Sequence, residues 1–279
     1  MQDLAPTSPT SGTPPAPLPR DGHDEIEASK APLMDHLIEL RERLIHSLIA
    51  FAIMFCICFY FASPIFNILL GPFVQVVGAE HAEVIATELF EKLHVNIKLA
   101  MFGAAFLSFP MVAYQLYKFV APGLYKNERD AFRPYLLATF VLFLLGALVV
   151  YFIIMPQVVR FSIDITPQTG GDGYATIKLM PKIDKYLSFI MTLIFGFCIC
   201  FQLPVVLSLL ARAGVVTGDM LVQFRRFAIV GITAAAAVLT PADPFSMLAM
   251  MVAMVGLYEL SIYVVRRIEK KDPVPTKTP

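Results

Sequence analysis

Charge is scarce in this sequence. Asp, Glu, Lys and Arg make up 16% of its 279 residues, and hydrophobic residues make up 57%. A soluble domain carries about a quarter charged residues and about half apolar ones. The formal net charge is zero, so bulk charge points to no nucleic-acid partner. Catalytic signatures are missing too. There is no G-x-x-x-x-G-K-[ST] to cradle phosphates, no H-E-x-x-H to hold zinc and no G-x-S-x-G nucleophile turn. The five histidines, His23, His36, His46, His81 and His94, show no metal-ligand spacing, so no metal and no cofactor is expected. The four cysteines form the pairs Cys56/Cys58 and Cys198/Cys200. Residues two apart on a helix face different ways, so neither pair makes a metal clip, and all four are expected as small buried hydrophobes. These absences argue against an enzyme.

What the chain does contain is long apolar runs. A spanning helix needs about 20 mostly apolar residues. Six candidates stand out: Leu44–Phe61, Lys92–Tyr114, Phe132–Met155, Tyr186–Ala211, Phe227–Leu239 and Phe245–Val265. The expected class is an all-α, polytopic membrane protein with six transmembrane helices. The fifth run is short, and the turn TPADP joins it tightly to the sixth. Residues 1–32 are rich in Pro, Ser and Thr and hold few large apolar side chains, so they are expected as a disordered tail. The membrane domain is expected over 33–267, with a second tail over 268–279.

An even number of spans puts both termini on one side. That side collects Arg41, Arg43, Lys118, Lys126, Arg129, Arg133, Arg212, Arg225, Arg226, Arg266 and Arg267. The opposite segment from Ser63 to Thr87 has no basic residue, although Arg160, Lys178, Lys182 and Lys185 lie in another. The bias places both termini in the cytoplasm. The outer segments around Pro64–Thr87 and Gln157–Pro181 are too long for simple connectors and are expected to form short helices or ordered loops. Glu88, Glu91, Lys92, Asn96 and Lys98 stud the start of the second run, where a solvated extension is expected.

Several polar residues invite a functional reading. MDHLIELRERL enters the first span as an amphipathic helix, and Glu39 lies four residues before Arg43, the favourable order for a helix pair. Glu39 therefore either supports the helix or meets a cationic partner. The connector KFVAPGLYKNER carries a second acid, Glu128, on the same basic side, and its Pro122–Gly123 pair is expected to break the helix sharply. Tyr114, Tyr117 and Phe119 fit an aromatic interfacial belt. At membrane depth, Gln202 either serves function or bonds backbone freed by Pro204. Glu259 either faces a polar interior or reaches toward Arg266. Asp243, before Pro244, is an N-cap candidate for the last helix.

Taken in order, HLIELRERL, YQLYKFVAPGLYKNER, YFIIMP, FGFCICFQLPVV and LTPADPFS resemble TatC, the receptor subunit of the twin-arginine protein translocase. The resemblance implies a concave, glove-like arrangement of the helices in a bacterial cytoplasmic membrane. It also implies a cytoplasmic face that binds twin-arginine signal peptides of folded precursors. Glu39 and Glu128 match the family's receptor carboxylates, with Arg41, Gln115, Phe119, Pro122, Tyr125 and Arg129 around them. The implied partners are TatA and TatB, in a hetero-oligomer driven by the proton motive force, together with membrane lipid. Many relatives carry glutamate where this chain has Gln202, which puts obligatory protonation there in doubt. The rival readings lack support in the sequence. A solute transporter calls for an internal repeat and unwound half-helices, and a membrane enzyme for a clustered nucleophile, base or metal.

Overall fold

The computed structural model describes residues 22–124, 133–165, 180–240 and 243–271, without the side chains of 22–33, 35–36, 120–124, 133 and 271. The chain divides into two units, Met1–Glu42 and Arg43–Pro279. Helix α1 runs Gly22–Tyr60 and thus starts inside the stretch read as the N-terminal tail. Among the described residues the structure is all-helical, apart from one isolated bridge between Ile85 and Lys182.

Bilayer hydrocarbon offers no water to bond backbone groups, so a spanning chain satisfies them within helices. Among the described residues, five helical paths are long and apolar enough to cross: Leu37–Tyr60, Glu91–Phe119, Pro134–Ile165, Ile183–Arg212 and Pro244–Lys270. The fifth expected span corresponds to α9 (Arg225–Leu239), whose 15 residues reach only about 22 Å against a hydrocarbon core of about 30 Å.

The helical paths also outrun the sequence-based boundaries. After α1 a single turn residue, Phe61, leads into α2 (Ala62–Val77), which absorbs GPFVQVV of the expected outer cap. Helix α3 is Glu91–Leu124, and α4 is Arg133–Val149. The third path does not stop at Met155. A π-helical turn, Val150–Ile154, passes it into α5 (Met155–Ile165). Pro156 explains the widened turn, because it has no N–H for the Phe152 carbonyl and its ring crowds that position. The fourth path is interrupted at Phe201 and Gln202, between α6 (Ile183–Cys200) and α7 (Leu203–Arg212). Short α8 (Gly218–Gln223), capped by the Thr217 side chain, leads to α9. Helix α10 is Pro244–Lys271.

Close packing uses small residues. A Cβ on Gly146 of α4 would lie 3.0 Å from the Phe197 carbonyl oxygen of α6, and one on Gly103 of α3 would lie 2.8 Å from Cys58 Sγ of α1. Such approach is how membrane helices gain contact where lipid is as apolar as leucine. Cys58, Cys198 and Cys200 are buried as expected of small hydrophobes; Cys56, on the opposite face from Cys58, is exposed instead.

One end of the second unit is held by charges that the sequence suggested were solvated. Glu91 is only 3% exposed. Its Oε2 accepts the amide N–H groups of Thr87 (2.6 Å) and Glu88 (3.1 Å), and its Oε1 accepts that of Asp184 (3.3 Å) at the start of α6. A carboxylate there satisfies backbone donors at two helix starts at once. Lys182 donates to Glu88 at 2.8 Å and lies 3.9 Å from Glu91, and Lys98 pairs with Asp184. The bond to Glu88 holds the Lys182 ammonium above its ordinary pKa. Its contribution is therefore complete below the ordinary lysine range and is lost only as pH rises through the raised value.

At the same end, Pro72 lies buried inside α2. It has no N–H for the Ile68 carbonyl. The Tyr151 hydroxyl, from the π turn, donates to that carbonyl at 2.8 Å, and the Tyr186 hydroxyl of α6 donates to the neighbouring Leu69 carbonyl at 3.1 Å. Two spans thus supply donors to the proline turn of a third element. Tyr151→Phe is expected to lower stability by about 1–2 kcal/mol, because Ile68 loses its donor. Equilibrium unfolding in lipid nanodiscs checks this, and a variant as stable as wild type refutes it.

Candidate functional site

The other end of the second unit is the basic end. It comprises the C-terminal parts of α3, α7 and α10, the start of α4, and α8. Lys118, Arg212, Arg225, Arg226, Arg266 and Arg267 all lie there. Its local acids are committed to structure. Glu259 in α10 pairs with Arg225 at the start of α9, and Arg266 with Asp219 of α8 at 3.3 Å. Glu269 accepts the Gly218 amide at 2.8 Å. Glu259 thus meets Arg225 and not Arg266, which was one of its two open readings, because α8 returns the chain so that α9 starts against α10. The hydroxyl of Tyr258, the residue before it, donates to the Leu221 carbonyl at 2.7 Å and fixes α8 on α10.

Gln202 sits at the α6–α7 interruption. Its Nε2 donates to the Thr139 carbonyl of α4 at 3.1 Å, so it bonds a neighbouring span and not the backbone released by Pro204. One helical turn away, the Cys198 thiol points to the Phe143 carbonyl at 3.3 Å. The two contacts form a short ladder between α4 and the fourth path. Thr139 is 2% exposed, and its Oγ1 lies 2.5 Å from the Tyr117 hydroxyl of α3. The Arg212 guanidinium rests over the Tyr135 ring at 5.3 Å, tying α7 to the start of α4. The Gln202 amide oxygen is buried and has no hydrogen-bond partner among the described residues.

Of the expected peptide-binding residues, Gln115 and Phe119 lie half-buried, one turn apart on α3. Glu39 is half-buried and Arg41 exposed, both on α1 in the first unit. Tyr125, Glu128 and Arg129 lie outside the described residues. The helix stop expected at Pro122–Gly123 falls one residue later: α3 runs through both and ends at Leu124. Asp243 Oδ2 accepts the Ser246 amide at 2.6 Å, the geometry of an N-cap for α10. Sequence reasoning missed Thr139 altogether and assigned Tyr117 only to an aromatic belt. Tyr117 lies seven residues before the end of α3 and Thr139 six after the start of α4, and that symmetry was the available signal. Among the described residues no cluster of His, Cys, Asp or Glu could hold a metal.

The family model "Sec-independent protein translocase protein (TatC)" matches residues 35–252. The chain belongs to the TatC family. It is 40% identical to TatC of Magnetococcus marinus over 242 residues, covering 87% of this chain and 86% of that protein. It is 36% identical to TatC of Aquifex aeolicus, covering 86% and 97%, and 32% identical to TatC of Escherichia coli, covering 83% and 87%. A crystal structure described as the twin-arginine translocase receptor TatC superposes with a TM-score of 0.71 at 36% identity, covering 83% of this chain and 98% of that one. TatC membership makes this chain a multi-pass, non-enzymatic subunit of the Sec-independent translocase.

As a TatC protein, it carries a polar contact in the fourth path that needs no proton exchange. Gln202→Leu is expected to cost about 1 kcal/mol of stability through loss of the bond to Thr139. Equilibrium unfolding in lipid nanodiscs checks this, and a variant as stable as wild type contradicts it.

Proposed function

We propose that this TatC protein is a twin-arginine signal-peptide receptor, which admits folded precursors to export across a bacterial cytoplasmic membrane using the proton motive force. The observation that carries the reading is the family match over 35–252, a range that takes in both Glu39 and Glu128. In this reading the basic end faces the cytoplasm. Residues 33–267 form the membrane domain with six spans, α9 being the short one, and the two tails are cytoplasmic. The excess of Lys and Arg at one end supports that orientation.

Glu39 and Glu128 each take one guanidinium of the signal peptide. Arginine suits this role because its planar fork gives a carboxylate two parallel bonds, where lysine offers a point charge. Exposed pairs of this kind contribute roughly 1 kcal/mol or less each. The apolar part of the peptide then supplies the remaining affinity, against Phe119 and Tyr125. Gln115, Arg41, Pro122 and Arg129 shape the surroundings of the two acids. TatA and TatB dock along the fifth and sixth spans in a hetero-oligomer. α9 suits a single-span partner, since a helix too short for the bilayer thins it or recruits neighbours.

Glu39→Ala and Glu128→Ala are each expected to lower export of a twin-arginine reporter severalfold, and the double variant to abolish it, while every variant still inserts in the membrane. Export is read as reporter activity in the periplasmic fraction. Normal export by the double variant contradicts the receptor reading.

A further inference from the structure

We propose that Thr139 is a positioning residue for the peptide site, setting how the end of α3 presents Gln115 and Phe119. The inference rests on the receptor reading and adds a residue to it. Thr139 is where three spans meet. Its side-chain oxygen is 2.5 Å from the Tyr117 hydroxyl of α3, and its carbonyl accepts the Gln202 amide from the fourth path at 3.1 Å. Nothing about the residue's own helix calls for this. Threonine is a middling helix former, and a 2% exposed hydroxyl in an apolar span is costly unless bonded.

The geometry says what the bond controls. Tyr117 lies between Gln115 and Phe119. On a helix of 3.6 residues per turn, positions two apart lie about 200° around the axis. The face that Tyr117 fastens to α4 is therefore nearly opposite the face that carries Gln115 and Phe119. Fixing one fixes the rotation of the other. The bond also closes the stem of the connector that carries Glu128, since Tyr117 and Thr139 lie seven residues before Leu124 and six after Arg133 on the helices flanking it. α4 itself cannot turn freely. Cys198 and Gln202 bond successive turns of it, and Arg212 covers Tyr135. α3 also stacks Phe109 on Phe143 of α4 at 3.7 Å, about two turns before Tyr117. The hydroxyl pair is the contact that refers the rotation of the end of α3 to a span held from the opposite side.

The test uses the full chain in nanodiscs and a fluorescent synthetic signal peptide, with a twin-lysine version as control. Thr139→Val keeps the side-chain shape and removes the hydroxyl; Tyr117→Phe removes the other half of the pair. Each should weaken twin-arginine peptide binding about fivefold, near the worth of one hydrogen bond, and narrow the preference over the twin-lysine peptide. The double variant should bind as each single one does, because one bond is lost in all three. Thr139→Ser should restore affinity. Wild-type affinity and preference in Thr139→Val overturn the proposal alone, as do additive losses or a Thr139→Ser variant as weak as Thr139→Val. A wild-type chain that binds both peptides equally overturns the receptor reading and this proposal together.

Discussion

Every backbone amide and carbonyl in the hydrocarbon must find a partner inside the protein, and the irregularities of this chain follow from that demand. A straight helix meets it alone. Where prolines or turns interrupt a helix, the chain answers in different ways. At Pro72 the donors are Tyr151 and Tyr186, from two different paths, so that repair is also a cross-link. At Pro156 the chain answers locally, by widening one turn to π geometry. At the α6–α7 interruption, Gln202 bonds a carbonyl of α4, so the break in one helix coincides with a fastening to another.

The two ends use charge differently. At the end holding Glu91, charge is internal: one buried carboxylate gathers the amides of two helix starts and sits beside a lysine. That end is a clamp. At the basic end, Asp219, Glu259 and Glu269 serve the α8–α10 corner, and the corner fixes the start of α9. The segment proposed to read the signal peptide therefore has its own supports, Thr139, Tyr117, Gln202 and Arg212, separate from those of the corner.

How much of this the sequence disclosed depends on the range of the interaction. Long apolar runs are local signals, so five of the expected spans, and the shortness of the fifth run, were plain. Asp243 before Pro244 was a local capping signal, and the Asp243–Ser246 bond has that geometry. Contacts between distant residues were not legible. Glu91 reads as one more acid in a polar stretch until Asp184, far along the chain, donates to it. Glu259 pairs with Arg225, and only the turn through α8 makes that pairing possible. Pro122–Gly123 reads as a helix stop, and α3 ends one residue beyond it, at Leu124. Family motifs located Glu39 and Glu128, but composition alone left Glu39 divided between helix support and ligand capture.

The proposed receptor role requires that adjacent arginines of one peptide reach both Glu39 and Glu128 from the cytoplasmic side. Paired spin labels at positions 39 and 128 measure this directly, in a Cys56→Ala background because Cys56 is the exposed native thiol among the described residues. A narrow, short distance distribution, with both labels reduced by an impermeant agent only from the cytoplasmic side, is the predicted result. Labels too far apart for neighbouring arginines to bridge, or reduced from the periplasmic side, would contradict it.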